Sequence, residues 1–120
     1  MAKAFGIHPI EMHPGVKGED FERFFREQAA SAPMFPGWSW RLLKGDKGER
    51  AGQYMVLFEM ESVEARDRFA PPSGETSQET EQFMEAHKAT WNPIFEKWAT
   101  FTPTQFSQNP HFTDYVVIEA

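Results

Sequence analysis

Four histidines, a few acids and four tryptophans are the side chains of this 120-residue sequence best suited to chemistry. His87 falls in Phe83-Met84-Glu85-Ala86-His87-Lys88, where the apolar spacing is helical, and its imidazole can take up a proton. His8 stands in the first apolar run, three residues before Glu11. Strand alternation puts those two on opposite faces, so they cannot cooperate, although either can act alone. Glu59 sets a charge on the strand face that Met55 and Leu57 otherwise make apolar. One such imidazole or carboxylate, walled by aromatic rings in a water-poor chamber, suffices for general-base chemistry. Trp38, Trp40, Phe58 and Trp91 supply rings that could stack on a flat hydrophobic ligand, and Trp38, Trp40 and Leu42 share one strand face. The same spacing also makes an ordinary aromatic core. His13 and His111, beside Pro14 and Pro110, read as turn residues. The histidines show no i, i+4 pairing, so no metal site is expected. Gly45, Gly48 and Gly52 lie in an acidic loop that would repel a phosphate.

These residues must be carried by strands and helices that the pattern predicts in turn. Residues 4 to 13 carry Phe5, Ile7, Ile10 and Met12 and close at His13-Pro14-Gly15, a first strand and its turn. Glu19 and Asp20 open a helix whose Phe21, Phe24, Phe25, Gln28, Ala29 and Ala32 recur at helical spacing until Pro33 and Pro36 stop it. Residues 37 to 44 alternate as a second strand, and a glycine-rich loop leads to a third, Gln53 to Glu61. There Tyr54, Val56, Phe58 and Met60 fill one face and Met55 and Leu57 the other. Ser62 is the expected N-cap of a short helix, Val63 to Ala70. Thr76 with Glu79 has capping-box spacing for a longer helix. Pro93 should split that helix, with Asn92 capping a last segment, so that Trp91 and Trp98 fall on different pieces. Phe112 to Glu119 reads as a fourth strand.

Strand, helix, strand, strand, helix, strand is an α+β order, the ferredoxin-like βαββαβ arrangement, with a four-stranded antiparallel sheet. Right-handed crossovers place the helices on one face. The other face is left bare, and a third strand with apolar residues on both sides wants cover on both. A second copy of the chain supplies that cover, which predicts a homodimer.

The length implies one domain, residues 1–120. A formal charge of -6, with lysine and arginine scattered as singles, argues against a nucleic-acid partner. The sequence contains no cysteine, which excludes disulfides and thiolate chemistry. No apolar run has the length of a membrane span, and the N-terminus lacks the features of a secretory signal. The expectation is a cytoplasmic protein without a membrane partner.

The chain resembles the dimeric alpha-beta barrel superfamily, which includes antibiotic-biosynthesis-type monooxygenases, stress-responsive barrel proteins and haem-degrading monooxygenases. Three stretches carry the likeness: Tyr54 to Ala65, a hydrophobic strand running into a Ser-capped helix; Phe83 to Lys88; and the closing Tyr115-Val116-Val117-Ile118-Glu119. The resemblance implies a homodimeric barrel that binds a hydrophobic small molecule. Its implied activity is that of a cofactor-independent monooxygenase or an isomerase acting on a hydrophobic or aromatic compound. His87, His8 and Glu59 are then the catalytic candidates, and Trp38, Trp40, Phe58 and Trp91 the substrate-binding ones. Two alternatives go with it: a haem-binding protein with His87 as axial ligand, and a non-catalytic, stress-associated dimer. The third strand has no tryptophan near its end and the first strand no asparagine, so haem binding, rather than haem degradation, is what the haem alternative implies.

Overall fold

The structure, a computed structural model, describes residues 2–105 and 109–119. Strand β1 (Ala4–Ile10) alternates buried and half-buried residues along its whole length, as does β3 (Tyr54–Met60). The two pair antiparallel, with His8 opposite Val56 and Ile7 opposite Leu57. Strand β2 (Trp38–Lys44) flanks β3, and β4 (Thr113–Val116) flanks β1, so the sheet runs β2-β3-β1-β4 and every neighbour is antiparallel. The molecule is an α+β fold with an open four-stranded sheet, consistent with the ferredoxin-like expectation. The β2–β3 loop closes on itself through Gly45 N–H to the Gln53 carbonyl, 2.8 Å, and Gly52 N–H to the Gly45 carbonyl, 2.7 Å.

Helix α1 (Gly18–Phe24) carries Glu19 and Asp20 in its first turn, where negative charge suits the helix dipole. It runs into a π-helical turn, Phe25–Ala29, marked by the Ala30 N–H bonded to the Phe25 carbonyl at 2.8 Å. Phe24 and Phe25 are adjacent in sequence, yet both are buried with Phe21 and Ala29, because positions three, four and eight residues on from Phe21 return to the same helix face. Helix α2 (Val63–Phe69) begins as expected at Ser62, whose hydroxyl accepts from the Ala65 N–H at 3.0 Å.

Three expectations need correction. The cap of helix α3 (Gln78–Phe101) is Ser77, not Thr76: its hydroxyl accepts from the Thr80 N–H and donates to the Arg68 carbonyl, tying the start of α3 to the end of α2. The helix breaks at His87 (φ -118°, ψ 15°), not at Asn92, and passes through Pro93. The break lies six residues before Pro93, beyond the one turn that the proline ring crowds. Trp91 and Trp98 therefore share one segment, and both are buried. Finally, β4 is four residues long rather than eight. Its pairing partner β1 begins at Ala4, and beyond Val116 only the Val117 N–H continues, bonding the Lys3 carbonyl at 2.8 Å.

The helices cover one face of the sheet. Phe21 meets Tyr54 and Trp98, and Trp40 meets Phe25, Trp91 and Trp98, all within 6.2 Å between ring centres. On the opposite face, cross-strand rows read Ser39, Glu59, Phe5, Tyr115; then Arg41, Leu57, Ile7, Thr113; then Leu43, Met55, Pro9. None of these eleven side chains is buried. Among the described residues no helix is long and apolar enough to cross a membrane.

Candidate functional site

His8 lies near the middle of β1 on the helix-facing side, nine-tenths buried at 9% exposure. The ring is held between two phenylalanines, edge-on to Phe58 with centroids 5.0 Å apart and stacked on Phe112 at 5.4 Å. Its Nδ1 is buried and has no hydrogen-bond partner among the described residues. Burial penalises the charged imidazolium, so the pKa falls from the ordinary 6.5 to about 4 and the ring is neutral at pH 7. Orphaned buried polar atoms are uncommon in folded proteins. An imidazole that is neutral, fixed and unbonded is a base without an internal proton source.

Next to it lies a small polar group. Asp114, on β4, is paired across the strands with Gly6 of β1. A Cβ added at Gly6 would stand 2.9 Å from Asp114 Oδ1 and 3.6 Å from His8 Nε2, so those two atoms converge over bare backbone. On its other side Asp114 Oδ2 lies 3.6 Å from Arg66 Nη1 of α2, and Arg66 Nε donates to Asp67 Oδ1 at 3.1 Å. Burial raises the Asp114 carboxyl above its ordinary value, and Arg66 pulls the other way. Sequence patterning missed Gly6, Asp114, Arg66 and Phe112. The one legible signal was a glycine in the middle of an alternating strand, which marks a close approach.

The remaining candidates lie elsewhere. Glu59 is on the opposite face of the sheet from His8 and is ion-paired with Lys3; the hydrogen bond from Lys3 holds its carboxyl below the ordinary value. It cannot act on the same substrate atom as His8. His87 is half-buried at the α3 break with its ring 4.4 Å from that of Phe83. Phe83 is the described ring against it, and neither of the two clefts at the end of the sheet is lined by His87. Trp38 and Trp91 donate their indole N–H to the Ala65 carbonyl at 2.9 Å and the Pro33 carbonyl at 2.7 Å, and with Trp40 and Phe58 they belong to one aromatic core. The four rings lie between the helices and the sheet, so Trp38 and Trp40 are not available to a contact on the bare sheet face. His13 has the turn role expected of it, its carbonyl accepting from the Val16 N–H at 3.2 Å, and its Nε2 also donates to the Ala99 carbonyl at 2.9 Å.

Two clefts open at the end of the sheet where β1 finishes and β3 begins. The larger, about 930 Å³, is lined in part by Ile10, Glu11, Tyr54, Thr104, Asn109 and His111. The smaller, about 260 Å³, lies between Phe25, Leu42 and Tyr54. Tyr54 lines both: its hydroxyl donates to Glu22, and Lys44 Nζ sits 3.6 Å from that carboxylate. Burial, reinforced by the Glu22 hydrogen bond, pushes the Tyr54 hydroxyl up to about 12. It stays protonated and its role is structural. Neither cleft includes His8 or His87. Phe112, whose ring is stacked on the His8 imidazole, is itself half exposed at 51%. Among the described residues no group of three histidines, aspartates or glutamates is placed to hold a metal ion.

Comparison of the chain with family models, with curated proteins and with solved structures finds no match.

Proposed function

We propose that this protein is a homodimeric α/β-barrel enzyme that removes a proton from a hydrophobic or aromatic small molecule without a bound cofactor, using His8 as the base. The observation that carries the reading is the buried imidazole with an unbonded Nδ1 between Phe58 and Phe112. A lowered pKa keeps the imidazole unprotonated and free to accept a proton at neutral pH but makes it a weak base, so its substrates are limited to those with an acidic proton, such as that of a phenol or of a carbon between two carbonyls. The resulting anion either takes the proton back from the imidazolium at another atom, an isomerisation, or reacts with dioxygen, one oxygen atom entering the product as a carbonyl and the other leaving as water with the substrate supplying the electrons, the monooxygenase outcome. Phe112 moves aside to admit the substrate and its ring closes over it.

The second copy covers the bare sheet face. Phe5, Ile7, Pro9, Met55 and Leu57 form a contiguous apolar block on that face, rimmed by Arg41 and by the Lys3–Glu59 pair. Several hundred Å² of exposed apolar surface is, on the order of magnitude, the most a monomer tolerates.

A non-catalytic dimer is the competing reading, favoured by the way aromatic rings fill the space between helices and sheet. Benzoylacetone separates the two. With the purified protein in deuterated buffer at pH 7, NMR should show its central carbon exchanging faster than in buffer alone, and His8→Ala should remove that acceleration, a loss on the order of 10²-fold or more. Equal rates for both proteins would leave only the packing role.

A further inference from the structure

We infer that Asp114 is a positioning residue for His8: reaching across Gly6 and anchored by Arg66, it holds the imidazole in the tautomer that protonates Nε2 and leaves Nδ1 as the basic nitrogen. The inference rests on the reading of His8 as the base and adds which atom acts and what fixes it.

Three observations converge on it. Gly6 is the residue of β1 directly opposite Asp114, and its missing side chain is what lets the carboxylate lean over the strand. Oδ1 and Nε2 lie 2.9 Å and 3.6 Å from where a Gly6 Cβ would stand, which brings the carboxylate charge to the Nε2 edge of the ring rather than to Nδ1. A carboxylate favours the N–H end of the ring over the lone-pair end, as in any histidine oriented by an acid. The far side of the ring gives the same answer. Nδ1 faces a dry aromatic surround with no partner among the described residues, and a buried unpaired N–H is tolerated less well than a buried lone pair. Arg66 contributes by holding Asp114 through the other oxygen, Nη1 on Oδ2 at 3.6 Å, which leaves Oδ1 as the oxygen over Gly6.

Nitrogen-15 labelling of the histidines and long-range proton–nitrogen NMR at pH 7, with His8 identified by its loss in His8→Gln, read the tautomer directly. In the unsubstituted protein Nε2 should give the protonated-nitrogen signal and Nδ1 the lone-pair signal. Asp114→Asn removes the charge at constant shape, and Gly6→Ala sets a methyl where the carboxylate leans. Each should shift the ring population toward Nδ1–H while the backbone amide spectrum stays folded, and Asp114→Glu should restore part of the Nε2–H form. Benzoylacetone exchange should slow about 10-fold or more in Asp114→Asn. Finding Nδ1 protonated in the unsubstituted protein, or the same tautomer in all the variants, would overturn the inference even if exchange is fast. The predicted tautomer response without any diketone exchange would uphold the positioning by Asp114 and remove the enzymatic reading alone.

Discussion

The two faces of β1 and β3 are built from the same alternation and end in opposite situations. On one side Ala4, His8, Ile10, Val56, Phe58 and Met60 are buried under α1 and α3. On the other, Phe5, Ile7, Met55 and Leu57 are as apolar as the first set but remain half-exposed. The buried face is where a polar atom is out of place, and the exposed face is where apolar atoms are. In the function proposed above, the difference separates two jobs along one pair of strands: the covered face holds the imidazole in a dry setting, and the uncovered one is the surface for a second copy.

Adjacent residues of β3 put that separation to the test. Val56 is fully buried opposite His8 and Leu42, so Val56→Lys should place an unpaired charge in the core and cost more than about 3 kcal/mol, enough to prevent folding of a marginally stable domain. A cooperative urea transition near that of the parent would break the assignment of faces. The next effect in size is pH-dependent. Because the folded-state pKa of His8 is depressed, the unfolded chain binds the extra proton, and stability is full above the ordinary value of 6.5 and falls as pH drops toward 4. The loss should approach about 3 kcal/mol over that window, and denaturant titrations at pH 7 and pH 4.5 should show it shrink in His8→Asn. The smallest stability effect belongs to Leu57→Lys on the outer face, within about 0.5 kcal/mol for the protomer. Its consequence is in association: sedimentation should give a dimer for the parent and a monomer for the variant. A parent that is monomeric at high micromolar concentration would discard the role given to that face.

Much of this scaffold is legible in the sequence, because hydrophobic period and capping chemistry are local. Tyr54 to Met60 alternates and does form a strand with two distinct faces, and Ser62 caps α2 where its side chain and spacing predict. What local pattern cannot decide is where a competition between neighbours is resolved by packing. Ser77 wins the cap from Thr76 because its hydroxyl also reaches the Arg68 carbonyl of the preceding helix. The α3 distortion settles at His87 rather than beside Pro93, and β4 stops where β1 no longer offers partners. The site divides the same way. His8 is visible as an imidazole in a strand, but Asp114 is more than a hundred positions away in the chain, and only strand pairing brings it over Gly6. Glu59, conspicuous in sequence as a charge on an apolar face, finds Lys3 on the side of the sheet away from His8.

The central claim is that an uncharged imidazole is kept dry inside the covered face. A proton NMR titration of the His8 ring from pH 8 down to the acid limit of folding measures this directly. The ring should remain neutral through pH 6 and begin to protonate only near pH 4. A midpoint close to 6.5, the value of a solvated histidine, would contradict it.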